Sequence, residues 1–427
     1  MEPLTETKNS VGVSESSQTL KELRVLVLAT TFPRWANDTE PRFIFDLTKP
    51  LAEKVSLWVL APHAPGAKIR EDMEGVKVLR FPYFFPKRLQ TLCYEGGILP
   101  KLKTSWLARL QLPFFLAAQS FHIWMTVRKY KINFIHCHWI IPQGFFVALL
   151  NAFTGIPYLL TAHGGDVYSF RKNLLIRLCS GFALKRARKC TVNSKPTGQA
   201  VHSIRASTSI QVIPMGVDTR LFHPQKANLK IKENLNIQGA FLLAVGRFAE
   251  KKGFKYLIQA MPRILAKKPA TKLVLIGFGP EEKALQRLIA ELNLQNSVLL
   301  PGSKTGEELS QYFATADIFI GPSVVTASGD TEGQGVVFLE AMASGTAVIA
   351  SDVGGVRDIV RDMETGLLIP SKNPAAIAEK TLLLLENQEL RNKLSLNGLR
   401  LAKGEYSWKK TAERFLETYD QIIRTTS

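Results

Sequence analysis

The sequence predicts an α/β protein in which two Rossmann-like domains face each other across a cleft. The chain has 427 residues, which is enough for two or three domains. Short apolar runs alternate with helical segments, a pattern typical of βαβ units and a parallel sheet. The alternation restarts after Asp218, where a polar segment rich in Lys and Asn runs on to Asn236.

The strand candidates are short runs of aliphatic and β-branched residues. In the first half they are residues 23–29, 57–61, 76–80, 134–138 and 158–161. In the second half they are residues 241–245, 272–276, 297–300, 318–320, 347–350 and 366–369. Because ligands of parallel sheets bind beyond the carboxyl ends of the strands, two facing sheets predict a cleft with a binding rim on each side.

We divide the chain into four segments. Residues 1–20 are polar and lack an apolar core, so we expect a disordered tail rather than a signal peptide. Residues 21–214 are predicted to form the first domain and residues 215–404 the second. Residues 405–427 contain an amphipathic helix that closes the chain.

The positive charge is concentrated in the first half. The formal net charge is +19, and residues 21–215 carry 27 Lys and Arg against 10 Asp and Glu, whereas residues 216–427 carry 27 against 23. Such a surface either serves solubility or meets an anionic partner: a lipid surface, a phosphorylated acceptor or nucleic acid. Aromatic and basic residues mix in residues 80–88 and 106–115, which form either a partly buried insertion or a surface that lies on lipid headgroups.

Two features bear on location. The four cysteines show no CxxC spacing, which indicates reduced thiols in a cytosolic protein. The apolar stretch 140–160 contains Pro142, Gly144, Gly155 and Pro157, which favour a buried helix, a turn and a strand over a membrane span. We therefore expect a cytoplasmic protein, either dissolved or peripheral on the inner face of the cytoplasmic membrane.

The strongest functional constellation is a pair of glutamates. Glu332 and Glu340 lie eight residues apart, with glycines beside the first and a helix that begins near Gly335 holding the second. The free N–H groups at such a helix start suit a diphosphate, which would lie beside Gly333 and Gln334. We expect Glu332 to accept hydrogen bonds from sugar hydroxyls and Glu340 from ribose hydroxyls.

A basic loop follows a buried strand of the second half. Arg247 and Lys252 lie between Gly246 and Gly253, at the carboxyl end of the strand candidate 241–245. Arg can bond diphosphate oxygens in bidentate fashion and Lys supplies a point charge, so together they can stabilise leaving charge without a metal. Taken alone, the loop would be explained as a solvated basic turn.

Histidines mark the ends of two strands of the first half. His163 stands beside two glycines, which implies close approach of the backbone to a ligand, and Asp166 either holds this loop or touches an acceptor hydroxyl. His136 and His138 share one strand face, which suggests zinc, but no third ligand follows at suitable spacing. We therefore expect no metal, with His138 lining the cleft and His136 packed or hydrogen-bonded.

Other signatures are absent from the sequence. It has no GxxxxGK[ST] phosphate loop and no GxSxG nucleophile elbow. The turn Gly277-Phe-Gly279-Pro280 is too short for a full dinucleotide fingerprint.

Together these residues resemble glycosyltransferase family 4, whose members are retaining enzymes of the GT-B fold. The resemblance spans nearly all of the chain after the tail. It rests on the E-x7-E pair, the GR…KKG loop, the HGGD turn at residues 163–166, the junction Pro214-Met-Gly-Val-Asp218 and the terminal Tyr406-Ser-Trp408. In combination these motifs are specific for family and fold, but they name neither the sugar nor the acceptor.

The resemblance implies a role for each motif. Arg247 and Lys252 would bind the donor diphosphate, Glu340 the ribose and Glu332 the transferred sugar, while His163 would line the reaction centre. The C-terminal helix would cross back to the first domain.

The chain departs from the family pattern at two places. The junction commonly reads P-N-G-V-D, and here Met215 replaces the Asn. The loop after the first strand commonly carries paired glycines, but residues 31–42 contain none, so Arg34 or Arg42 would meet phosphate or acceptor with a cationic side chain. This loop resembles that of bacterial polysaccharide and lipid-linked glycan enzymes, which implies a glycan or lipid-linked acceptor.

The predicted reaction is transfer of a hexose from a UDP- or GDP-sugar with retention of configuration. Double displacement needs a carboxylate nucleophile beneath the anomeric carbon, and no residue is an obvious candidate, so we favour front-face substitution. Two alternatives remain: a GT-B sugar-nucleotide epimerase or hydrolase, and a basic nucleic-acid-binding protein. The latter lacks the Arg and aromatic modules of nucleic-acid recognition, so we expect no nucleic-acid partner.

Overall fold

The structure is a computed structural model that describes residues 20–35, 38, 40–94, 97–168 and 173–425. Apart from Leu20, the predicted tail lies outside the described residues. The domain boundaries at residues 214 and 404 stay predictions.

The first sheet contains eight strands within the described residues. They are β1 (Arg24–Leu28), β2 (Ser56–Pro62), β3 (Arg70–Met73), β4 (Val76–Phe81), β5 (Phe134–His138), β6 (Tyr158–Ala162), β7 (Lys189–Val192) and β8 (Ile210–Val212). Their order is β3-β4-β2-β1-β5-β6-β7-β8, and β3 runs antiparallel to β4 while the other pairs are parallel. The carboxyl ends of β1, β5 and β6 therefore lie side by side at one edge.

Helices cover both faces of this sheet, as parallel strands require. They are α1 (Phe43–Ala52), α2 (Ile98–Thr104), α3 (Trp106–Tyr130), α4 (Phe145–Thr154), α5 (Gly165–Tyr168), α6 (Leu174–Arg186) and α7 (Lys195–Ile204). Buried residues of α3, α4, α6 and α7 share one core cluster, whereas those of α1 belong to a second cluster on the opposite face.

The second sheet contains six parallel strands within the described residues, in the order β11-β10-β9-β12-β13-β14. They are β9 (Phe241–Val245), β10 (Lys272–Ile276), β11 (Val298–Leu299), β12 (Ile318–Gly321), β13 (Ala347–Ser351) and β14 (Leu367–Ile369). The helices of this half are α8 (Lys230–Asn234), α9 (Phe254–Lys267), α10 (Glu282–Glu291), α11 (Gly306–Thr315), α12 (Val336–Ala343), α13 (Pro374–Glu386), α14 (Gln388–Glu405) and α15 (Trp408–Arg424).

The predicted strands are confirmed to within two residues at their ends. Three strands of the first sheet were missed: β3, β7 and β8. β3 is polar and lies at the sheet edge, and β7 and β8 are only four and three residues long. Such short or polar segments carry no alternation from which a strand could be inferred.

The crossing C-terminal helix is confirmed. Helix α15 begins after Ser407, whose hydroxyl accepts from the Lys410 N–H, and it buries Phe415, Tyr419 and Ile422 against first-domain residues. The chain just before this helix is also held by a backbone hydrogen bond, in which the Val217 N–H donates to the Tyr406 carbonyl at 2.7 Å. The C-terminal helix α15 therefore packs on one face of the first sheet.

Two absences concern the described part of the chain only. Among the helices it contains, none combines the length and the apolar character that crossing a membrane requires. Within the same residues, no three His, Cys, Asp or Glu side chains are grouped so as to hold a metal ion.

Candidate active site

Two glycine-containing loops bring the domains into contact at the base of the cleft. A Cβ built on Gly333 would lie 2.5 Å from the carbonyl oxygen of His163, and one built on Gly164 would lie 3.1 Å from the Gly333 Cα. Only backbones without side chains approach this closely. Glu332 of the second domain and His163 of the first are therefore adjacent in space, 169 positions apart in the chain.

A lysine–glutamate ion pair forms the second-domain wall of this site. Lys252 Nζ lies 2.6 Å from Glu332 Oε2, and both side chains are largely buried. Burial would raise the pKa of the Glu332 carboxyl, but the ammonium groups of Lys252 and Lys251 outweigh burial and hold that pKa below its ordinary value. Glu332 is therefore an ionised acceptor at neutral pH.

Two glycines allow Lys252 to reach Glu332. The short 3-10 turn Glu250–Lys252 ends at Gly253, where φ is +64° and a Cβ would meet the Pro322 carbonyl oxygen at 2.1 Å. The Lys252 stem passes over Gly246, where a Cβ would lie 3.2 Å from Cε. The glycines that bracket the predicted GR…KKG loop are thus required by its path.

A second glycine turn supports the loop that carries Arg247. The Phe248 N–H donates to the Phe278 carbonyl at 2.8 Å, and the Glu281 N–H donates to the Phe248 carbonyl at 3.0 Å. A Cβ on Gly279 would collide with the Phe248 backbone. The turn after β10, which the sequence left without a role, therefore fixes the position of Arg247.

The second glutamate lies on α12, which begins immediately after Gly335 as predicted. Burial, with an added contribution from the carboxylate of Asp46 on α1, raises the pKa of Glu340 to about 7. Burial likewise raises the pKa of Asp46 to about 6. The carboxylate of Asp46, in the first half of the chain, is therefore close enough to Glu340 to raise its pKa, which the sequence did not reveal.

The loop of His163 is held by the side chain of Asp166. Its Oδ1 accepts from the His163 N–H at 3.0 Å, and its Oδ2 accepts from the Ile140 N–H at 2.9 Å. Of the two roles considered for Asp166, the structure thus supports holding the loop. The Asn193 amide also donates to the His163 carbonyl at 3.2 Å, a contact that no sequence motif signalled.

A chain of histidines supports the His163 ring from behind. His138 Nδ1 lies 2.9 Å from His163 Nε2, and the rings are stacked. His138 is fully buried, so it does not line the cleft as predicted but lies behind the partly exposed His163 ring. His136 hydrogen-bonds to Thr161 and to the Tyr419 hydroxyl, each at 2.7 Å, which confirms its packed role.

These histidines are neutral. Burial lowers the pKa of His163 to about 3, and it lowers the pKa of His138 well below the ordinary value, with neighbouring His136 and His163 adding to the effect. His163 is further enclosed by the rings of Phe43 and Trp139, at centroid distances of 5.0 and 5.3 Å. A neutral imidazole in this setting offers hydrogen bonds and an apolar face rather than a charge.

The side chains of three further predicted residues form hydrogen bonds or ion pairs with other groups of the protein. Gln334 exchanges two hydrogen bonds with the backbone of Met215, at 2.8 and 2.9 Å, so its side chain fastens the interdomain junction and only its backbone can face a diphosphate. Arg34 forms an ion pair with Asp38 at 2.7 Å. Arg42 lies 3.5 Å from the Asp46 carboxylate and 3.8 Å from that of Glu74.

Comparison with known proteins assigns both halves of the chain. The model for glycosyl transferases group 1 matches residues 225–400, and the model for Glycosyltransferase Family 4 matches residues 41–221. An uncharacterized glycosyltransferase of Methanocaldococcus jannaschii is 32% identical over 68% of this chain and 76% of its own length. A GDP-mannose-dependent alpha-(1-6)-phosphatidylinositol monomannoside mannosyltransferase of Mycolicibacterium smegmatis is 30% identical over 49% of this chain and 56% of its own.

Solved structures share the fold. A sucrose-phosphate synthase from Thermosynechococcus elongatus superposes with a TM-score of 0.79 at 22% identity, covering 95% of this chain and 100% of that one. Anabaena HepE in complex with UDP-glucose superposes with a TM-score of 0.72 at 18% identity, covering 94% and 100%. Both are of the GT-B type. The chain therefore belongs to glycosyltransferase family 4 and is a glycosyltransferase of the GT-B fold.

Proposed function

We propose that this glycosyltransferase moves a hexose from a UDP- or GDP-sugar to a glycan or lipid-linked acceptor, with retention of configuration and without a metal ion. The observation that carries the proposal is the contact between Gly333 and the His163 backbone. It places the Lys252–Glu332 pair of one domain against the histidine loop of the other, at the point where two parallel sheets direct their ligands.

The donor would be held mainly by the second domain. Arg247 and Lys252 would neutralise the diphosphate, aided by backbone N–H groups of Gly333, Gln334 and Gly335 at the start of α12. In its ionised form, Glu340 would accept hydrogen bonds from the ribose hydroxyls. This division leaves Glu332 and His163 for the sugar.

Glu332 suits the role of a hydroxyl acceptor. Its low pKa keeps it ionised, and Lys252 occupies only one of its two oxygens, which leaves lone pairs for sugar hydroxyls. The neutral His163 ring would lie against the sugar, held in orientation by His138. Charge on this side of the cleft would thus be fixed before the substrate binds, which is the condition for electrostatic catalysis.

The chemical step that we propose is front-face substitution. The acceptor hydroxyl oxygen forms a bond to the anomeric carbon on the side of the leaving group while the bond from that carbon to the phosphate oxygen breaks. The electron pair stays on the diphosphate, and a phosphate oxygen takes the acceptor proton. Arg247 and Lys252 would stabilise the leaving charge, and the cleft would supply orientation.

The acceptor would approach from the first-domain rim. Arg42 just before α1 and Arg34 in the preceding loop would be cations of that rim, although both already pair with carboxylates. Asp166 and His138 would act on the acceptor only indirectly, because their polar atoms position the His163 loop and ring.

The test is a thermal-shift panel of UDP- and GDP-sugars on the purified protein, with Glu340→Ala as the control. A ligand that binds only the folded form raises the melting temperature. We expect one sugar nucleotide to stabilise the wild type and not the variant, and the product formed from that donor to keep the anomeric configuration by NMR. An inverted product, or Arg247→Ala and Lys252→Ala variants with unchanged turnover and donor affinity, would contradict the proposed mechanism.

A further inference from the structure

Helix α3 exposes an apolar stripe to solvent. At 100° per residue, Trp106, Leu110, Phe114, Phe121 and Trp124 fall within one narrow sector of the helix. Trp106 is 74% exposed, Phe114 53% and Phe121 54%. A helix on the surface of a globular protein ordinarily turns its polar side toward solvent, whereas this helix turns an apolar stripe toward solvent.

The buried side of the same helix mixes apolar residues with polar ones. It contains Gln111, Gln119 and Thr126, all nearly inaccessible, and Gln111 exchanges hydrogen bonds with the chain around Leu89 and Thr91. The helix is therefore firmly seated, and its outer apolar side chains are not core residues displaced by a loose fit.

The apolar surface continues onto neighbouring elements. The Phe114 ring lies 5.6 Å from that of Phe84, and the next residue, Phe85, is almost fully exposed. Helix α4 contacts both α3 and α6, and Phe153 in its last turn is 89% exposed. Helix α6 presents three further exposed leucines: Leu174, Leu175 and Leu178. All three helices belong to the layer on one face of the first sheet, and we name this surface the α3–α4–α6 face.

The chain segment that contains these helices is almost purely basic. Between residues 96 and 217 the sequence has 15 Lys and Arg but one carboxylate, Asp166, which is buried in the histidine loop. Arg109, Arg128 and Lys129 on α3 are exposed, and the Arg128 guanidinium lies 5.2 Å from the Trp124 ring centroid. Aromatic and basic side chains are thus interleaved on the surface.

We propose that the α3–α4–α6 face docks on an anionic lipid bilayer. Trp and Phe favour the boundary between headgroups and acyl chains, and Lys and Arg bind the headgroup phosphates while their stems pack on the apolar surface. A second copy of this chain is a poorer occupant, because two such faces would oppose cations without carboxylates between them.

Docking would bring the active-site cleft close to the bilayer. Helix α3 is 25 residues long, about 37 Å, and it ends three residues before β5 begins. Its Trp106 end therefore extends to the sheet edge where β5 and β6 present His138 and His163. A lipid-linked acceptor could then enter the cleft from the membrane, which is the only part of this inference that rests on the proposed function.

The surface can be tested with the whole 427-residue chain and sedimented vesicles. We expect the wild type to bind phosphatidylcholine vesicles that contain phosphatidylglycerol, at least about tenfold more weakly in 0.5 M salt and more weakly still without the anionic lipid. The combined variant Trp106→Ser, Phe114→Ser, Phe121→Ser and Trp124→Ser should lose about tenfold or more of the bound fraction.

Matched controls separate docking from misfolding. Leu229→Ser with Leu396→Ser removes exposed leucines of the second domain and should bind vesicles like the wild type. The four-residue variant should keep the wild-type melting temperature and the stabilisation by sugar nucleotides, if any donor binds. The proposal is overturned if that variant still binds vesicles like the wild type, if the wild type ignores anionic vesicles, or if the substitutions instead convert a dimer to a monomer in light scattering.

Discussion

A methyl group added at Gly333 would test how closely the two domain loops must meet. The Cβ of Gly333→Ala would lie 2.5 Å from the His163 carbonyl oxygen and 3.2 Å from the Asn193 amide nitrogen. Tolerated contacts of this kind begin at 3.0 to 3.4 Å, so the loops must separate by about 0.5 to 0.9 Å. The φ angle of Gly333 lies outside the left-handed region, so the substitution probes the contact rather than backbone strain.

The expected effect is on turnover. Glu332 would move away from His163 by most of an ångström, and a misplacement of about 1 Å in an active site can cost about a hundredfold in rate. We therefore expect kcat to fall by about 10- to 100-fold, equivalent to about 1.4 to 2.7 kcal/mol in the barrier. The donor Kd should change less, because the proposed diphosphate and ribose contacts lie within the second domain.

The assay is steady-state transfer with the donor identified by thermal shift, together with donor Kd and melting temperature for each variant. Gly404→Ala on α14 is the matched control, because its Cβ would meet no atom within 4 Å. If Gly333→Ala turns over like the wild type, the loops are not held at the distance that the structure gives, and the reasoning is refuted. A lost kcat with an unfolded protein would not count as support.

Two more outcomes follow from the site. Because burial raises the pKa of Glu340 to about 7, its ionised fraction rises from about one tenth at pH 6 to about nine tenths at pH 8. Donor affinity measured by calorimetry should therefore rise about tenfold over that range. The variant Glu340→Gln should show no such rise with pH. In the protein without donor, the raised pKa of Glu340 stabilises the folded state relative to the unfolded state below the ordinary carboxyl pKa. This contribution is lost as the pH rises through 7. The variant Gln334→Ala removes the side chain that hydrogen-bonds to the Met215 N–H and carbonyl. The free energy of unfolding, measured in denaturant, should therefore fall by about 1–3 kcal/mol while donor Kd changes little. A larger loss in donor binding free energy than in unfolding free energy would show that the Gln334 side chain binds the donor.

The sequence by itself determined the two-sheet fold and the loops that carry the candidate site. These signals are local, because each is a pattern among residues that are near neighbours in the chain. They are the alternation of apolar residues in strands, the glycines at Gly253 and Gly335, and the amphipathic pattern of the C-terminal helix. These signals therefore survived into the structure with boundaries shifted by only a residue or two.

Only the tertiary structure decided which distant groups meet. Lys252 pairs with Glu332 across 80 residues, His138 lies behind His163 instead of lining the cleft, and Asp46 raises the pKa of Glu340 from the other half of the chain. Helix α3 carries apolar residues on both its exposed and its buried side, so its sequence alone could not show which side packs inward. Such contacts depend on how sheets and domains are oriented, and no period or spacing within one segment encodes that orientation.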